Sequence, residues 1–189
     1  MNSYSANMTV ALVHHPVVDK NGQTIAAAVT SLDLHDIARA CRTFGIGAFY
    51  VVTPLEDQQE LVRQIIVHWV TGIGAQYNPD RQRALELIRL KKTLAEVVEE
   101  CRNTAGREPW MVATSARMEK SDLTYPDLKR IVQEDRPILL VFGTAWGLAP
   151  ELVREADYRL APITGPGEYN HLAVRSAVAI ILDRISGER

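Results

Sequence analysis

The residues best suited to form a binding site lie in the last third of this 189-residue chain. An apolar run at 138–142 leads into the glycine-rich turn 143–148. Further on, the segment 161–171 carries two more glycines to the start of an apolar helix. Backbone amides and carbonyls at strand ends and helix starts bind polar cofactors well. The pattern therefore predicts a pocket that is built largely from main chain.

Several familiar catalytic motifs are missing. The chain has no phosphate-binding Gly-x-x-x-x-Gly-Lys-Ser/Thr loop, no Gly-x-Gly-x-x-Gly after the first predicted strand and no Gly-x-Ser-x-Gly turn. Gly165 and Gly167 are too close together and too late in the chain for a dinucleotide fingerprint. His14 and His15 are neighbours, and neighbours on a strand point to opposite faces. The sequence therefore predicts neither a metal site nor a dinucleotide-dependent oxidoreductase.

The elements that must position the pocket alternate along the chain. Apolar stretches predict strands at 9–13, 48–52, 110–114, 138–142 and 158–160. Capping residues and helical spacing predict helices at 34–43, 55–70 and 78–90. A capping box at Thr93 and Glu96 indicates the start of another helix. Further helices are predicted at 125–134, 151–156 and 171–185. This order predicts an α/β fold, a mainly parallel sheet flanked by helices. Ligands of such sheets bind at the carboxyl ends of strands, which here are 114–115, 143–144 and 162–165.

Composition and charge narrow the classes of function. Hydrophobic residues make up 47% and charged residues 23% of the chain, as in a globular domain. No apolar run reaches the length of a membrane span, and the first residues lack the regions of a signal peptide. Because Cys41 and Cys101 are the only cysteines, we expect free thiols and a cytoplasmic protein without membrane partners.

The net charge of −2 gives the chain no overall attraction for nucleic acid, so RNA binding would need a local basic patch. One candidate lies on and just after the predicted helix 78–90. It sets five basic residues against two acidic ones, and the basic residues are Arg81, Arg83, Arg89, Lys91 and Lys92. Such a run forms either a solvated helix face or a contact for RNA phosphates. The pattern alone leaves both interpretations open.

Three segments resemble the motifs of one enzyme superfamily. Residues 32–45 place Arg39 on a helix six residues before Gly45 and a strand. Residues 138–148 run from a strand into a glycine turn, and residues 169–177 begin the last helix. In these features the chain resembles the SPOUT (α/β-knot) RNA methyltransferases. Its nearest likeness is to a bacterial subfamily of predicted S-adenosylmethionine (SAM)-dependent RNA methyltransferases, related to the tRNA guanine-N1 methyltransferases.

The resemblance implies a fold, a cofactor and an assembly. A trefoil knot would form near the C-terminus, and residues 1–189 would form a single domain with room for a helical insertion at 72–105. Members of the superfamily bind SAM in the knot and act as homodimers. Carried over to this chain, the cofactor-binding residues are Thr114, Ser115, Ala116, Phe142, Gly143, Thr144, Gly147, Leu148, Pro162, Ile163, Gly165, Tyr169, Asn170, His171 and Leu172.

The resemblance also indicates candidate catalytic residues. Arg39 would hold a phosphate or lower the pKa of the methyl acceptor, or else it is an ordinary surface arginine. Asn170 matches the motif asparagine before the last helix, although a shifted alignment places Ala173 there and brings Arg175 into the site. Arg175 would then pair with the cofactor carboxylate or form a salt bridge at the dimer contact.

The function implied is transfer of a methyl group from SAM to a nucleotide of tRNA or rRNA. Where the related SpoU group has an acidic residue, this chain has Ala145 and Trp146, and no general base is evident. The alternative is a non-catalytic regulatory module that binds the cofactor and RNA.

Overall fold

A parallel sheet forms the centre of the fold. The structure, a computed structural model, describes residues 7–118, 120–134 and 136–187. The strands of the described part are β1 (Met8–Val13), β2 (Val17–Val18), β3 (Thr24–Ile25), β4 (Ala48–Val52), β5 (Ile88–Lys91), β6 (Trp110–Ala113), β7 (Ile138–Gly143) and β8 (Tyr158–Arg159). The α-helices there are α1 (Ser31–Thr43), α2 (Glu56–Ile66), α3 (Ile73–Tyr77), α4 (Pro79–Leu85), α5 (Leu94–Ala105), α6 (Tyr125–Ile131), α7 (Pro150–Glu155) and α8 (Val174–Ser186).

Six strands pair in the order β5-β4-β1-β7-β6-β8, and all of these pairs are parallel. Val13 at the end of β1 lies beside both Val52 and Gly143, so three central strands end at the same edge of the sheet. The predicted α/β fold with a mainly parallel sheet is confirmed. Because β1 and β6 both adjoin β7, the loops that follow these three strands lie side by side.

Helices cover both faces of the sheet. Alternate residues of β1 serve the two faces: Val10 and Leu12 share a buried cluster with residues of α1 and α8, whereas Ala11 and Val13 share a second cluster with residues of α5. Burial on both faces explains why the strands are almost continuous apolar runs in the sequence. None of the helices in the described part of the chain has the length and apolar character needed to cross a bilayer.

Side-chain caps fix helix starts at the predicted places. The backbone N–H of Glu96 donates to Thr93 Oγ1 (3.2 Å), and the Glu96 carboxylate accepts from the backbone N–H of Lys92 (2.9 Å). This is close to the predicted capping box. At the start of α4, the side chain of Asn78 accepts a hydrogen bond from the backbone N–H of Arg81 (3.0 Å).

The prediction of one helix over 78–90 is wrong in its second half. α4 ends at Leu85, and Ile88–Lys91 form β5, the edge strand beside β4. Pairing with the sheet overrides the helical spacing of the apolar residues there. The basic residues expected on one helix face are therefore divided between two elements. That the segment 72–105 is an insertion in a single domain stays a prediction, although its strand belongs to the main sheet.

Other helix boundaries also differ from the predictions. α1 begins at Ser31 rather than 34, and α6 ends at Ile131 rather than 134. The last helix starts at Val174 rather than 171, and residues 161–173 form an irregular loop. The predicted helix 55–70 is α2 followed by a π-helical turn at Val67–Thr71.

Candidate functional site

A cavity of about 670 Å³ opens beside the carboxyl ends of β6 and β7. The three loops predicted from the sequence line it, namely those that follow β6, β7 and β8. The segment between β3 and α1 and one side of α8 complete the wall. The volume lies within the range of small-molecule binding sites. We refer to this space as the cavity.

Hydrogen bonds tie the loops of the cavity to one another and to the sheet. Thr144 donates from its backbone N–H (3.2 Å) and from its hydroxyl (3.0 Å) to the carbonyl of Val13, which joins the loop after β7 to the end of β1. The Asn170 amide donates to the carbonyl of Ala116 (2.8 Å), which joins the loop before α8 to the loop after β6. The wall of the cavity is therefore cross-linked through backbone carbonyls.

The turn after β7 is tight enough to require glycine. A Cβ built on Gly143 would lie 2.5 Å from the backbone nitrogen of Leu148 and 2.8 Å from the carbonyl carbon of Gly147. Gly147 itself has a φ of +117°, a conformation that side chains rarely adopt. Both glycines are needed for the path of this turn, which gives the predicted glycine loop a physical reason.

Most of the predicted cofactor-binding residues meet at the cavity. Leu148, Gly165 and Tyr169 are not among its lining residues: Leu148 is buried beneath the glycine turn, and Tyr169 is 80% exposed. The predicted residues that line the cavity are Thr114, Ser115, Ala116, Phe142, Gly143, Thr144, Gly147, Pro162, Ile163, Asn170, His171 and Leu172. Their role in binding a cofactor stays a prediction.

A buried carboxylate lies on the α1 side of the cavity. Asp33 accepts a hydrogen bond from the Thr30 hydroxyl (2.6 Å) and pairs with the Arg175 guanidinium (3.2 Å). The same guanidinium lies 3.5 Å from Asp36. Arg175 therefore joins α8 to α1 within the chain and uses both partners on α1. The two roles that the sequence left open for Arg175 stay predictions.

His14 is fully buried at the end of β1, behind this wall. Neither of its ring nitrogens completes a hydrogen bond with another described residue. Burial lowers the pKa of His14 to about 4, and the nearby carboxylate of Asp33 and the carbonyls of Ala28 and Ala27 offset only part of that effect. The ring is therefore neutral at physiological pH.

Aromatic and cationic side chains form the rim of the cavity. The Arg117 guanidinium stacks 4.6 Å above the ring of Trp146, and the ring of His171 lies 6.5 Å from that of Trp146. Tyr169 extends the row, with its ring centroid 6.0 Å from that of His171. The rim brings together side chains from all three predicted loops.

Arg39 lies apart from the cavity. It is exposed on α1, six residues after Asp33, and it is not among the lining residues. Among the described residues, no carboxylate forms an ion pair with it. Its proposed catalytic role is therefore not supported by contact with the cavity of its own chain.

Sequence reasoning missed the segment between β3 and α1. Ala27, Ala28, Thr30 and Asp33 line the cavity because β1 lies next to β7 in the sheet. Thr30 also caps α1, where its hydroxyl accepts from the backbone N–H of Asp33 (3.3 Å). The position of this cap beside the cavity depends on strand order, which no local pattern predicts.

Comparison with known proteins agrees with this geometry. A family model described as "SAM-dependent RNA methyltransferase" matches residues 7–187. A protein named tRNA (guanine-N(1)-)-methyltransferase from Oleidesulfovibrio alaskensis is 44% identical over 96% of this chain, which covers 42% of that protein. A protein of Aquifex aeolicus described as uncharacterized is 43% identical over 95% of this chain and 88% of its own length. The chain thus spans less than half of the named relative.

Solved structures share the fold at low sequence identity. A putative methylase family protein from Neisseria gonorrhoeae superposes with a TM-score of 0.65 at 19% identity, over 100% of this chain and 85% of that one. The SpoU methyltransferase AviRb from Streptomyces viridochromogenes, solved with the cofactor AdoMet, superposes with a TM-score of 0.58 at 19% identity, over 94% of this chain and 56% of that one. The chain therefore has the fold of the SpoU methyltransferases.

Proposed function

Because the chain belongs to the family of SAM-dependent RNA methyltransferases, we propose that it methylates a nucleotide of tRNA or rRNA bound at the mouth of the cavity. The observation that carries this proposal is the cavity itself. Three loops from separate parts of the chain meet there and are cross-linked through backbone carbonyls. The family-wide cofactor thus has a candidate site in this chain.

The residues of the cavity fit SAM. Alanines, glycines and the irregular backbone of 161–173 leave main-chain groups open to the polar edges of an adenine. Ile163 and Leu172 offer apolar faces for the ring, Arg117 offers a partner for a carboxylate, and Asp33 offers one for an ammonium. When bound, SAM supplies an electrophilic methyl group on a sulfonium centre.

The chain's own residues would orient the acceptor and take up its proton. Of the described residues that line the cavity, Asp33 and His171 carry groups able to accept a proton. Asp33 is held by Thr30 and Arg175, whereas His171 lies on the exposed rim. The stacked Trp146 and Arg117 of the same rim are suited to hold a base in place.

We further propose that two copies of the chain form the active unit, as the SPOUT likeness implies. Arg39 lies outside the cavity of its own chain, so a direct contact with the methyl acceptor would have to come from Arg39 of a second copy. Leu32 on α1 and Leu172 before α8 are 61% and 47% exposed, which provides apolar surface on both elements. In this arrangement Arg39 of the partner subunit would contact a phosphate or the methyl acceptor.

Three further parts of the proposal rest on the same likeness. The loop 161–173 would pass through the knot, and its contact with Ala116 supports a path beside the loop after β6. The cytoplasm is the proposed compartment, since the RNA substrates and SAM are found there. The methylated atom stays open, because the chain covers under half of the relatives named for guanine-N1.

The experiment measures binding and transfer separately. SAM is titrated into the protein by calorimetry, and RNA from cells lacking the gene is incubated with protein and SAM before nucleoside mass spectrometry. We expect cofactor binding and one newly methylated nucleoside. Binding without any methylated nucleoside would instead favour the regulatory module.

A mixing experiment tests the active unit. The Arg39→Ala variant should bind SAM normally but lose methyl transfer. The Gly143→Ala variant should lose SAM binding, because the added Cβ collides with the turn. Mixed dimers should recover part of the activity, since one cavity is intact and faces an intact Arg39. Mixtures that stay inactive would contradict the proposed contact across subunits.

A further inference from the structure

A cluster of arginine and histidine side chains lies on the side of α1 that faces α4. Arg81 on α4, His35 on α1 and His68 in the π-helical turn contact Trp69, and the charge of Arg39 on α1 acts on His35. We call this group the cationic cluster. Asp33, which lines the cavity, is rotated by about 200° around the helix axis from His35. The cationic cluster and the cavity are therefore on different sides of α1.

Trp69 holds the cationic cluster together. The Arg81 guanidinium stacks 4.7 Å above its ring, and the rings of His35 and His68 contact it edge-on, with centroids 5.3 and 5.1 Å away. Trp69 itself packs against the main hydrophobic core. Stacking on an anchored aromatic ring fixes the direction of a guanidinium without a carboxylate. Arg81 is thus preorganised.

The two arginines of the cationic cluster have no ion-pair partner within the described residues. No ion pair joins Arg81 or Arg39 to a carboxylate, and the Nε of Arg81 and the Nδ1 of His35 are buried without hydrogen-bond partners there. Asp36, the acidic group nearest to His35, pairs with Arg175. Burial and the charges of Arg81 and Arg39 lower the pKa of His35. The guanidinium charges, which lack ion-pair partners here, would stabilise a bound anion.

The neighbouring Arg83 differs from Arg81 in its contacts. Arg83 lies two residues after Arg81 on the same helix, is exposed, and lies 3.8 Å from Asp80. Lys91, another member of the basic run, pairs closely with Glu100. Of the five basic residues in that run, Arg81 is the one whose guanidinium stacks on Trp69.

We propose that the cationic cluster binds phosphodiester groups of the substrate RNA beside the nucleotide that enters the cavity. The inference rests on the proposed function for the identity of the anion. The width of one helix, roughly 10 Å, separates the two regions. An RNA strand that reaches into the cavity therefore passes close enough to place a neighbouring phosphate on Arg81. RNA phosphates prefer bidentate arginine donors.

The test compares Arg81→Ala with the matched control Arg83→Ala. The probe is a fluorescein-labelled single-stranded RNA of 20 nucleotides, with affinity followed by anisotropy at several salt concentrations. We expect Arg81→Ala to weaken binding about fivefold to tenfold and to reduce the salt slope by about one, as for a lost phosphate contact. Arg83→Ala should bind within about twofold of the parent protein.

Further measurements keep the outcomes distinct. Arg81→Lys should retain the salt slope while losing part of the affinity, because it keeps the charge but not the planar stacking. Both Arg81 variants should bind SAM as the parent does, which checks their folding. Unchanged RNA affinity and slope in Arg81→Ala would overturn the proposal. So would a shift to monomers in sedimentation, which would assign the cationic cluster to contact between copies.

The result is separable from that of the proposed function. If the parent protein binds RNA through Arg81 but methylates nothing, the cationic cluster stands and the enzyme proposal fails. If methylation proceeds while Arg81→Ala binds RNA normally, the enzyme proposal stands and the cationic cluster fails.

Discussion

The cavity and the cationic cluster occupy the two sides of α1 and are built from different parts of the chain. The wall of the cavity consists mainly of main chain and small residues, fixed by bonds such as that from Thr144 to Val13. The cationic cluster consists of long side chains, which Trp69 holds in place. Main-chain groups suit a polar cofactor, and a positioned guanidinium suits the phosphates of RNA, which are the same in every sequence.

This difference determines how each region responds to mutation. In the cavity, truncation of a side chain leaves the backbone donors in place, so added atoms are more harmful than missing ones. In the cationic cluster, truncation removes the charge that does the binding. Atoms added to the wall and charge removed from the cationic cluster therefore affect different functions.

The largest expected effect concerns His14, behind the wall of the cavity. Its pKa of about 4 lies below the 6.5 of an unfolded histidine, so unfolding takes up a proton at intermediate pH. Its contribution to stability is complete above pH 6.5 and is lost as the pH falls towards 4. At pH 4 the loss amounts to about 3 kcal/mol relative to neutral pH.

Urea unfolding from pH 7 to pH 4 measures this effect. The His14→Asn variant, which does not titrate, should have a flatter dependence of the unfolding free energy on pH than the parent protein. His171→Asn, on the exposed rim, serves as the control and should keep the parent slope. Equal slopes in the parent and in His14→Asn would show that His14 is not buried as a neutral group.

The next effect concerns the glycine turn of the cavity. Gly143→Ala places a Cβ 2.5 Å from the backbone nitrogen of Leu148, so the turn must move. Overpacking of this kind costs about 1–3 kcal/mol. Because the turn must return to its parent path to bind SAM, this cost weakens SAM binding by a factor of about 5 to 150. RNA affinity in the absence of SAM should not change, because the cationic cluster lies elsewhere.

Gly165→Ala provides the matched control for this turn. A Cβ at Gly165 meets no atom within 4 Å, and the residue is exposed in the loop before α8. SAM affinity in this variant should stay within about twofold of the parent value. Equal losses of SAM affinity in the two variants would mean that the close approach at Gly143 does not account for the effect.

The sequence was sufficient to predict the parts of the site that depend on local pattern. Buried strands followed by small or polar residues predicted the loops after β6, β7 and β8, because the end of a parallel strand is a local property. The sequence was not sufficient to place Ala27, Ala28 and Asp33 in the wall of the cavity. Their position there follows from β1 lying beside β7. Strand order depends on contacts distant in sequence.

The same limit applies to the region of the cationic cluster. Its sequence favoured one helix with a basic face, but pairing with β4 turns Ile88–Lys91 into a strand and separates the charges. The contact between Trp69 and Arg81 depends on how the π-helical turn packs against α4. No local pattern predicts that packing, so the sequence indicated basic residues without indicating which of them cluster.

The smallest expected effect compares the two histidines that have a lowered pKa. Burial is the main cause of both lowered pKa values. The positive charge of Arg81 lowers the pKa of His35 further, as do Arg39 and His68, whereas the carboxylate of Asp36 raises it. In Arg81→Ala the pKa of His35 should therefore rise, whereas that of His14 should not change. Titration of the imidazole resonances by NMR measures both, with Arg83→Ala as the control. If the His35 resonance titrates identically with and without Arg81, the two side chains do not interact. That result would contradict the cationic cluster and the contrast between the two sides of α1.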